Sequence, residues 1–275
     1  MPFLTTTSSP ATELYYVDVG AGQPVVLIHG WPLSLASWEN QINALVAAGY
    51  RAIAYDRRGF GASGKPASGY DYDTFASDLN DLMKSLDLHD AVIAGFSMGG
   101  GEVARYIGRY GTSRLSKTML LGAVTPFLLK TSDNPDGAPK ELFDGMIAGV
   151  TKDRLGFLDT FFTNFYNWDQ PHDGVSEDLI PYSKFLAWPA SPLATQQSIV
   201  AFGTTDFRAD VAKIDIPTLI VHGDADRIVP FPISGKKSAE MIKGSRLEVL
   251  KGAPHGFAAT HPAQLNALML DFLKR

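Results

Sequence analysis

The 275-residue chain contains no cysteine. That absence removes disulfides, thiolate nucleophiles, thiolate-ligated haem and iron–sulfur clusters together, so a side-chain nucleophile must be an oxygen or an amine. Histidine is scarce, at six residues, so each can be weighed separately. Charge of one sign is also lacking: 24 basic residues face 29 acidic ones, for a net charge of -5. With no Lys/Arg cluster to track phosphates, a nucleic-acid partner is not expected. No stretch approaches the roughly 18 apolar residues of a membrane span. Met1 to Glu13 has neither a basic n-region nor an apolar core. The expectation is a soluble, unexported, cytoplasmic protein with no membrane partner.

What is present alternates in period. Short β-branched runs at Pro24–Ile28, Ala52–Tyr55, Val92–Ala94, Met119–Leu121, Thr218–Val221 and Leu247–Leu250 read as buried strands. Between two of them, Phe75, Leu79, Leu82, Met83 and Leu86 place one apolar stripe on a helix. Pro262 suits a first helical position, and Leu265, Leu268, Met269, Phe272 and Leu273 follow it at core spacing. Such alternation predicts an α/β fold, a mostly parallel sheet flanked by helices. It breaks between residues 127 and 209, where strand-like runs vanish and aromatics crowd, among them Phe143, Phe157, Phe161, Phe162, Phe165, Tyr166, Trp168, Phe185, Trp188 and Phe202. The expected organisation is a core of residues 1–126 and 210–275 with a helical cap, 127–209, inserted into what is overall a single structural domain. Most of these rings are expected in the cap's own core. Phe161, Phe165 and Phe202, with Ile228, are the expected substrate wall.

The stretch Gly95-Phe96-Ser97-Met98-Gly99 follows the strand ending at Ala94 and precedes a helix-compatible run from Glu102 to Ile107. This is the strand, nucleophile elbow, helix pattern G-x-S-x-G, and Ser97 is the candidate nucleophile. A serine hydroxyl is a poor nucleophile without a base, so a histidine and an acid should follow in the chain. His89, His172 and His261 read as solvated. His29 and His222 each end a strand and read as packing against a neighbouring loop. His255, in Gly252-Ala253-Pro254-His255-Gly256-Phe257 between the last strand and the last helix, is the candidate base, because that loop lies at the carboxyl edge where ligands bind.

The acid is sought after the preceding strand, in His222-Gly223-Asp224-Ala225-Asp226-Arg227-Ile228-Val229-Pro230, where two aspartates compete. Asp224 suits a turn brace. Asp226 lies ahead of an apolar anchor that can hold it inward, and is the choice. Two N–H donors are needed for an oxyanion: Met98 follows the nucleophile, and Trp31, in His29-Gly30-Trp31-Pro32-Leu33, is the candidate for the second. Pro32 restricts Trp31 towards extended angles and stiffens that loop. The charged loop Asp56-Arg57-Arg58-Gly59-Phe60-Gly61-Ala62-Ser63 reads as structural and not as a phosphate cradle.

Together, H-G-W-P-L, D-R-R-G-F-G-A-S, G-F-S-M-G-G-G, G-D-A-D-R-I-V-P and A-P-H-G-F resemble the α/β-hydrolase superfamily. More narrowly they are similar to the bacterial cofactor-free haloperoxidases, also described as perhydrolases and aryl esterases. The likeness runs along essentially the whole chain, including Y-D-Y-D-T-F-A at Tyr70 to Ala76 and D-F-R-A-D at Asp206 to Asp210. It implies Ser97, Asp226 and His255 as a triad, Trp31 and Met98 as oxyanion donors, no cofactor and no metal. It also implies assembly as a trimer or hexamer. The implied activity is hydrolysis of small carboxylic esters through an acyl-enzyme, with peroxide in place of water giving peracids that oxidise halide. Lactonase or carbon–carbon bond hydrolase activity is the alternative within the fold, and a small-molecule receptor the alternative outside enzymes. Aspartate occupies the elbow in dehalogenases and epoxide hydrolases, so Ser97 disfavours both.

Overall fold

A computed structural model describes residues 2–172 and 174–275. Buried apolar runs set its strands: β1 (Phe3–Thr5), β2 (Glu13–Gly20), β3 (Pro24–Ile28), β4 (Arg51–Tyr55), β5 (Ala91–Phe96), β6 (Leu115–Leu121), β7 (Thr218–Gly223) and β8 (Arg246–Leu250). They form one sheet in the order β1-β2-β4-β3-β5-β6-β7-β8. The pairs from β4 through β8 are parallel, while β1 and β2 join one edge antiparallel. Every residue of β5 and β7 is buried, as expected for central strands covered on both faces. All six runs expected as strands lie within strands. The expectation omitted β1 and β2, whose residues are mostly half-buried or exposed and give no continuous apolar run.

The helices are α1 (Glu39–Ala47), α2 (Tyr72–Ser85), α3 (Met98–Tyr110), α4 (Lys140–Phe165), α5 (Leu179–Ala187), α6 (Pro192–Thr204), α7 (Arg208–Val211), α8 (Gly235–Met241), α9 (Phe257–Thr260) and α10 (Pro262–Leu273). On α2 the stripe Phe75, Leu79, Leu82 and Met83 is buried, and Asp71 caps the helix by accepting from the Thr74 N–H. Pro262 opens α10. Among the described residues, α4 (kinked at Asp153), α5, α6 and α7 fall between β6 and β7 in the chain, in place of the single crossover that joins most parallel neighbours. Their rings are largely buried, but Phe185 and Trp188 are not part of any interior: they are 61% and 45% exposed.

The loop after β4 is fixed by charge. Arg57 pairs with Glu102 of α3 at 2.7 Å and Arg58 with Asp78 of α2 at 2.6 Å, all four buried. Both guanidinium groups are thus committed within the scaffold. The D-F-R-A-D segment is spent in the same way. Asp210 accepts from Arg105, while Arg208 bridges Asp206 and Asp133.

Candidate active site

Ser97 occupies the turn between β5 and α3 at φ 54°, ψ -119°, a left-handed conformation that strains any residue with a Cβ by about 1–3 kcal/mol. Backbone bonds on both sides hold it there. The Ser97 N–H donates to Leu121 O of β6 at 2.8 Å, and its carbonyl accepts from Gly100 N at 2.9 Å and Val124 N at 3.2 Å. The turn closes only because glycines flank it. A Cβ on Gly95 would lie 2.3 Å from Gly99 O, and one on Gly99 would lie 2.3 Å from Ile28 O.

The loops after β7 and β8 bring the other two chemistry-bearing residues to Ser97. His255 Nε2 lies 2.9 Å from Ser97 Oγ, and its Nδ1 lies 2.6 Å from Asp226 Oδ2. A carboxylate only accepts, so Nδ1 carries the proton and Nε2 faces the hydroxyl as an acceptor. Ser97, His255 and Asp226 therefore form one hydrogen-bonded chain. Phe96 and Phe165 enclose the imidazole, with ring centroids 5.0 Å and 4.8 Å away. The anchor after Asp226 acts through its backbone: Oδ1 accepts from Ile228 N at 2.9 Å and Val229 N at 2.8 Å. Burial alone would raise the Asp226 carboxyl. The electrostatic pull of the His255 ring and the bonds from His222 and His255 outweigh it and hold the group well below the usual carboxylate range. Asp224, by contrast, is exposed and accepts from Gly252 N at 2.5 Å, bracing one loop against the other.

The expected oxyanion donors come from neighbouring strand ends. Met98 is the first residue of α3, where N–H groups have no intrahelical acceptor. Ile28 and Gly95 are partners across β3 and β5. The chain therefore reaches Gly30 and Ser97 at the same height. A Cβ on Gly30 would lie 3.0 Å from Ser97 Cβ and 2.8 Å from the Phe96 ring, so the loop can approach the elbow only as glycine. The Gly30 carbonyl accepts from His29 Nδ1 and from Leu33 N, each at 3.0 Å, while His29 Nε2 accepts from Arg57 N at 3.0 Å. His29 thus grips the carbonyl of the peptide that carries the Trp31 N–H and fixes its direction. Burial, then the Arg57 charge, hold the His29 ring well below its ordinary pKa. The Trp31–Pro32 peptide is cis.

The expected wall residues divide. Phe161 and Phe202 pack on the Trp31 indole, at 4.9 Å and 5.8 Å, and its Nε1 donates to Thr195 O of α6 at 3.1 Å. Phe165 packs on His255 and also lines a cavity of about 440 Å³, together with Leu33, Trp38, Phe96, Leu179 and Leu186. Neither Phe161, Phe202 nor Ile228 lines that cavity.

One residue at the site was not expected there. His222, the penultimate residue of β7, lies against Asp226, with Nε2 2.8 Å from Val229 O and 3.2 Å from Asp226 Oδ2. The available signal was a histidine closing an otherwise apolar strand, with an aspartate four residues on. Among the described residues there is no group of three or more His, Asp or Glu placed to hold a metal ion, and no helix long and apolar enough to cross a membrane.

The α/β-hydrolase fold model matches residues 23–262. The chain is 44% identical, over 100% of both chains, to a non-heme chloroperoxidase from Kitasatospora aureofaciens. It is 39% identical, over 98% of both, to a bifunctional esterase/perhydrolase from Acinetobacter calcoaceticus. Among solved structures, a bromoperoxidase from Bacillus anthracis superposes with a TM-score of 0.95 at 50% identity, covering 100% of each chain.

Proposed function

Since the chain belongs to the α/β-hydrolase family, we propose that it is a serine esterase and perhydrolase using Ser97 as nucleophile, His255 as base and Asp226 as acid. The observation that carries this is the unbroken chain from Asp226 Oδ2 through His255 to Ser97 Oγ, at 2.6 Å and 2.9 Å. His255 Nε2 takes the Ser97 proton as Oγ attacks the ester carbonyl. The N–H groups of Trp31 and Met98 receive the oxyanion, a role in which one donor is worth about 10²–10³ in rate. His255 then returns the proton to the departing alcohol, leaving an acyl group on Ser97. Water attacks with His255 again as base and releases the acid. Hydrogen peroxide attacking the same acyl group releases a peracid, and the peracid oxidises halide in solution with no haem, metal or flavin on the protein.

The names of the relatives fit both chemistries: chloroperoxidase and bromoperoxidase for the halide reaction, esterase/perhydrolase for the acyl transfer. The helices between β6 and β7 serve as the cap, with Phe161, Phe165 and Phe202 bounding a small acyl site. We place the protein in the cytoplasm and expect a homo-oligomer. The test is Ser97→Ala with an activated short-chain ester. Turnover should fall to background, and a phosphonate ester should add to Ser97 in the wild type alone. Turnover retained in the alanine variant, or an adduct elsewhere, overturns the assignment.

A further inference from the structure

The proposed reaction does not use His222, yet this side chain touches the acid. It is fully buried as the penultimate residue of β7. Its Nε2 must carry a proton, because the Val229 carbonyl at 2.8 Å can only accept. The same N–H also faces Asp226 Oδ2 at 3.2 Å, the oxygen that His255 uses. Nδ1 has no partner, and Gly235 of α8 backs directly onto it: a Cβ there would sit 2.6 Å from Nδ1. A proton on Nδ1 would be a buried donor without an acceptor.

We propose that His222 is a positioning residue. It ties the turn whose amides hold Asp226 Oδ1 and, through one shared N–H, draws part of the Oδ2 charge away from His255. The Val229 N–H holds Oδ1 while the Val229 carbonyl is held by His222, so the acid and its cradle are fixed by one ring. Withdrawing the N–H leaves the whole of Oδ2 to His255 and makes the imidazolium easier to form.

The other charged groups on the elements packed against the ring are paired or, like Lys236 and Glu240 of α8, exposed. On its own loop Asp224 accepts from Gly252 and Arg227 pairs with Asp169. On α8 Lys237 pairs with Asp136, and on β8 Glu248 pairs with Arg246. Phe231, 5.7 Å away, adds only an uncharged ring. Asp226 is thus the charge that His222 meets.

This inference rests on the proposed roles of Ser97, His255 and Asp226, so its test includes a reading that needs no turnover. His222→Phe keeps a ring and removes the N–H. We expect kcat for a short activated ester to fall about tenfold with KM unchanged, because the untied turn no longer holds Asp226 and His255 in line with Ser97 and a more basic ring does not offset the lost alignment. The acid limb of the kcat/KM profile, and the His255 ring titration followed by NMR, should both rise by about one pH unit. His222→Gln, which restores a donor, should recover most of both. Should the phenylalanine variant fail to fold, Gly235→Ala displaces the ring while leaving it in the chain, and should raise the same titration. A wild-type His255 titration in both the phenylalanine and the alanine variant overturns the role. So does a kcat loss that His222→Gln does not relieve while the titration stays put. Absence of any Ser97-dependent turnover in the wild type counts against the proposed reaction, and the NMR titration still decides the role of His222.

Discussion

Replacing Asp226 by asparagine changes one atom, and the geometry fixes which one matters. Oδ1 accepts two backbone N–H groups, from Ile228 and Val229, so an amide must place its oxygen there. The NH2 group then replaces Oδ2 and points at His255 Nδ1, 2.6 Å away. It can only donate, so Nδ1 becomes the acceptor and the ring proton moves to Nε2. From there the imidazole donates to Ser97 Oγ and cannot take its proton. The same NH2 meets the His222 N–H donor to donor at 3.2 Å, so it finds no compensation on that side. A reversed tautomer with intact packing should lower kcat by about 10³–10⁴, or about 4–5 kcal/mol of barrier. The control is Asp224→Asn, which touches only the bond to Gly252 N at an exposed turn. It should lose about 1 kcal/mol of stability or less and change kcat by less than about threefold. Hydrolysis of an activated acetyl ester, with denaturant unfolding of both variants, separates the two. An Asp226→Asn enzyme that keeps more than about a tenth of wild-type kcat, or an Asp224→Asn enzyme slower than it, would refute the tautomer argument.

Gly99→Ala drives a methyl to within 2.3 Å of the Ile28 backbone oxygen, which has no flexible end to yield. We expect a loss of about 3 kcal/mol or more in denaturant unfolding, and unchanged stability would show that the elbow has slack. His29 is held neutral in the fold while the unfolded chain binds a proton at the ordinary value of 6.5. Its contribution is fully present above that pH, and stability falls as pH drops through it, by up to about 1.4 kcal/mol per unit. His29→Asn should flatten the fall in unfolding free energy between about pH 7 and 5, and an unaltered slope would place the titration elsewhere. Phe165 touches His255 and lines the 440 Å³ cavity, so Phe165→Ala should open that cavity to the imidazole and raise the ratio of kcat/KM for octanoyl over acetyl esters about tenfold. A constant ratio would mean that the ring does not part the cavity from the imidazole.

Legibility in the sequence followed local physics. The central parallel strands are continuous apolar runs because both faces are covered, and that pattern is visible without any partner. β2 is not visible: Glu13–Gly20 lies next to the sheet edge with residues half in water, and only its registers with β1 and β4 show why it is a strand. The elbow was legible because strain at Ser97 demands glycines at fixed offsets. Asp226 is preferred to Asp224 in the sequence because an Ile-Val-Pro anchor follows it; in the structure that segment holds Asp226 through the Ile228 and Val229 N–H groups and not through apolar contact. A histidine at a strand end looks the same whether its partner is a passive carbonyl or the proposed acid, and only the fold of the turn from Gly223 to Val229 brings His222 against Asp226. Aromatic crowding in sequence does not say which helix face is covered, so it does not separate the exposed Phe185 and Trp188 from the buried rings around them.

The strand order explains why these residues meet at all. From β3 the chain runs outward to β4, then returns past β3 to lay down β5 and continues to β8 on the other side. The connections therefore diverge between β3 and β5, which opens a crevice beyond their carboxyl ends, the place where ligands bind in open α/β sheets. Trp31 follows β3 and Met98 follows β5, so the two proposed oxyanion donors stand on either side of that crevice, with Ser97 between them. β6, the next strand, supplies no side chain to the chemistry. Its end holds Ser97 instead, through the Leu121 carbonyl and the Val124 N–H. Asp226 comes from β7, across β6 from β5, and His255 from β8, one strand further, whose loop returns to set the imidazole between carboxylate and hydroxyl at 2.6 Å and 2.9 Å. A shorter separation in the sheet would leave no room for the ring, and a longer one would break the chain of protons. Residues distant in sequence thus become one site because each ends a parallel strand on the same edge, at the one position where the sheet's winding reverses.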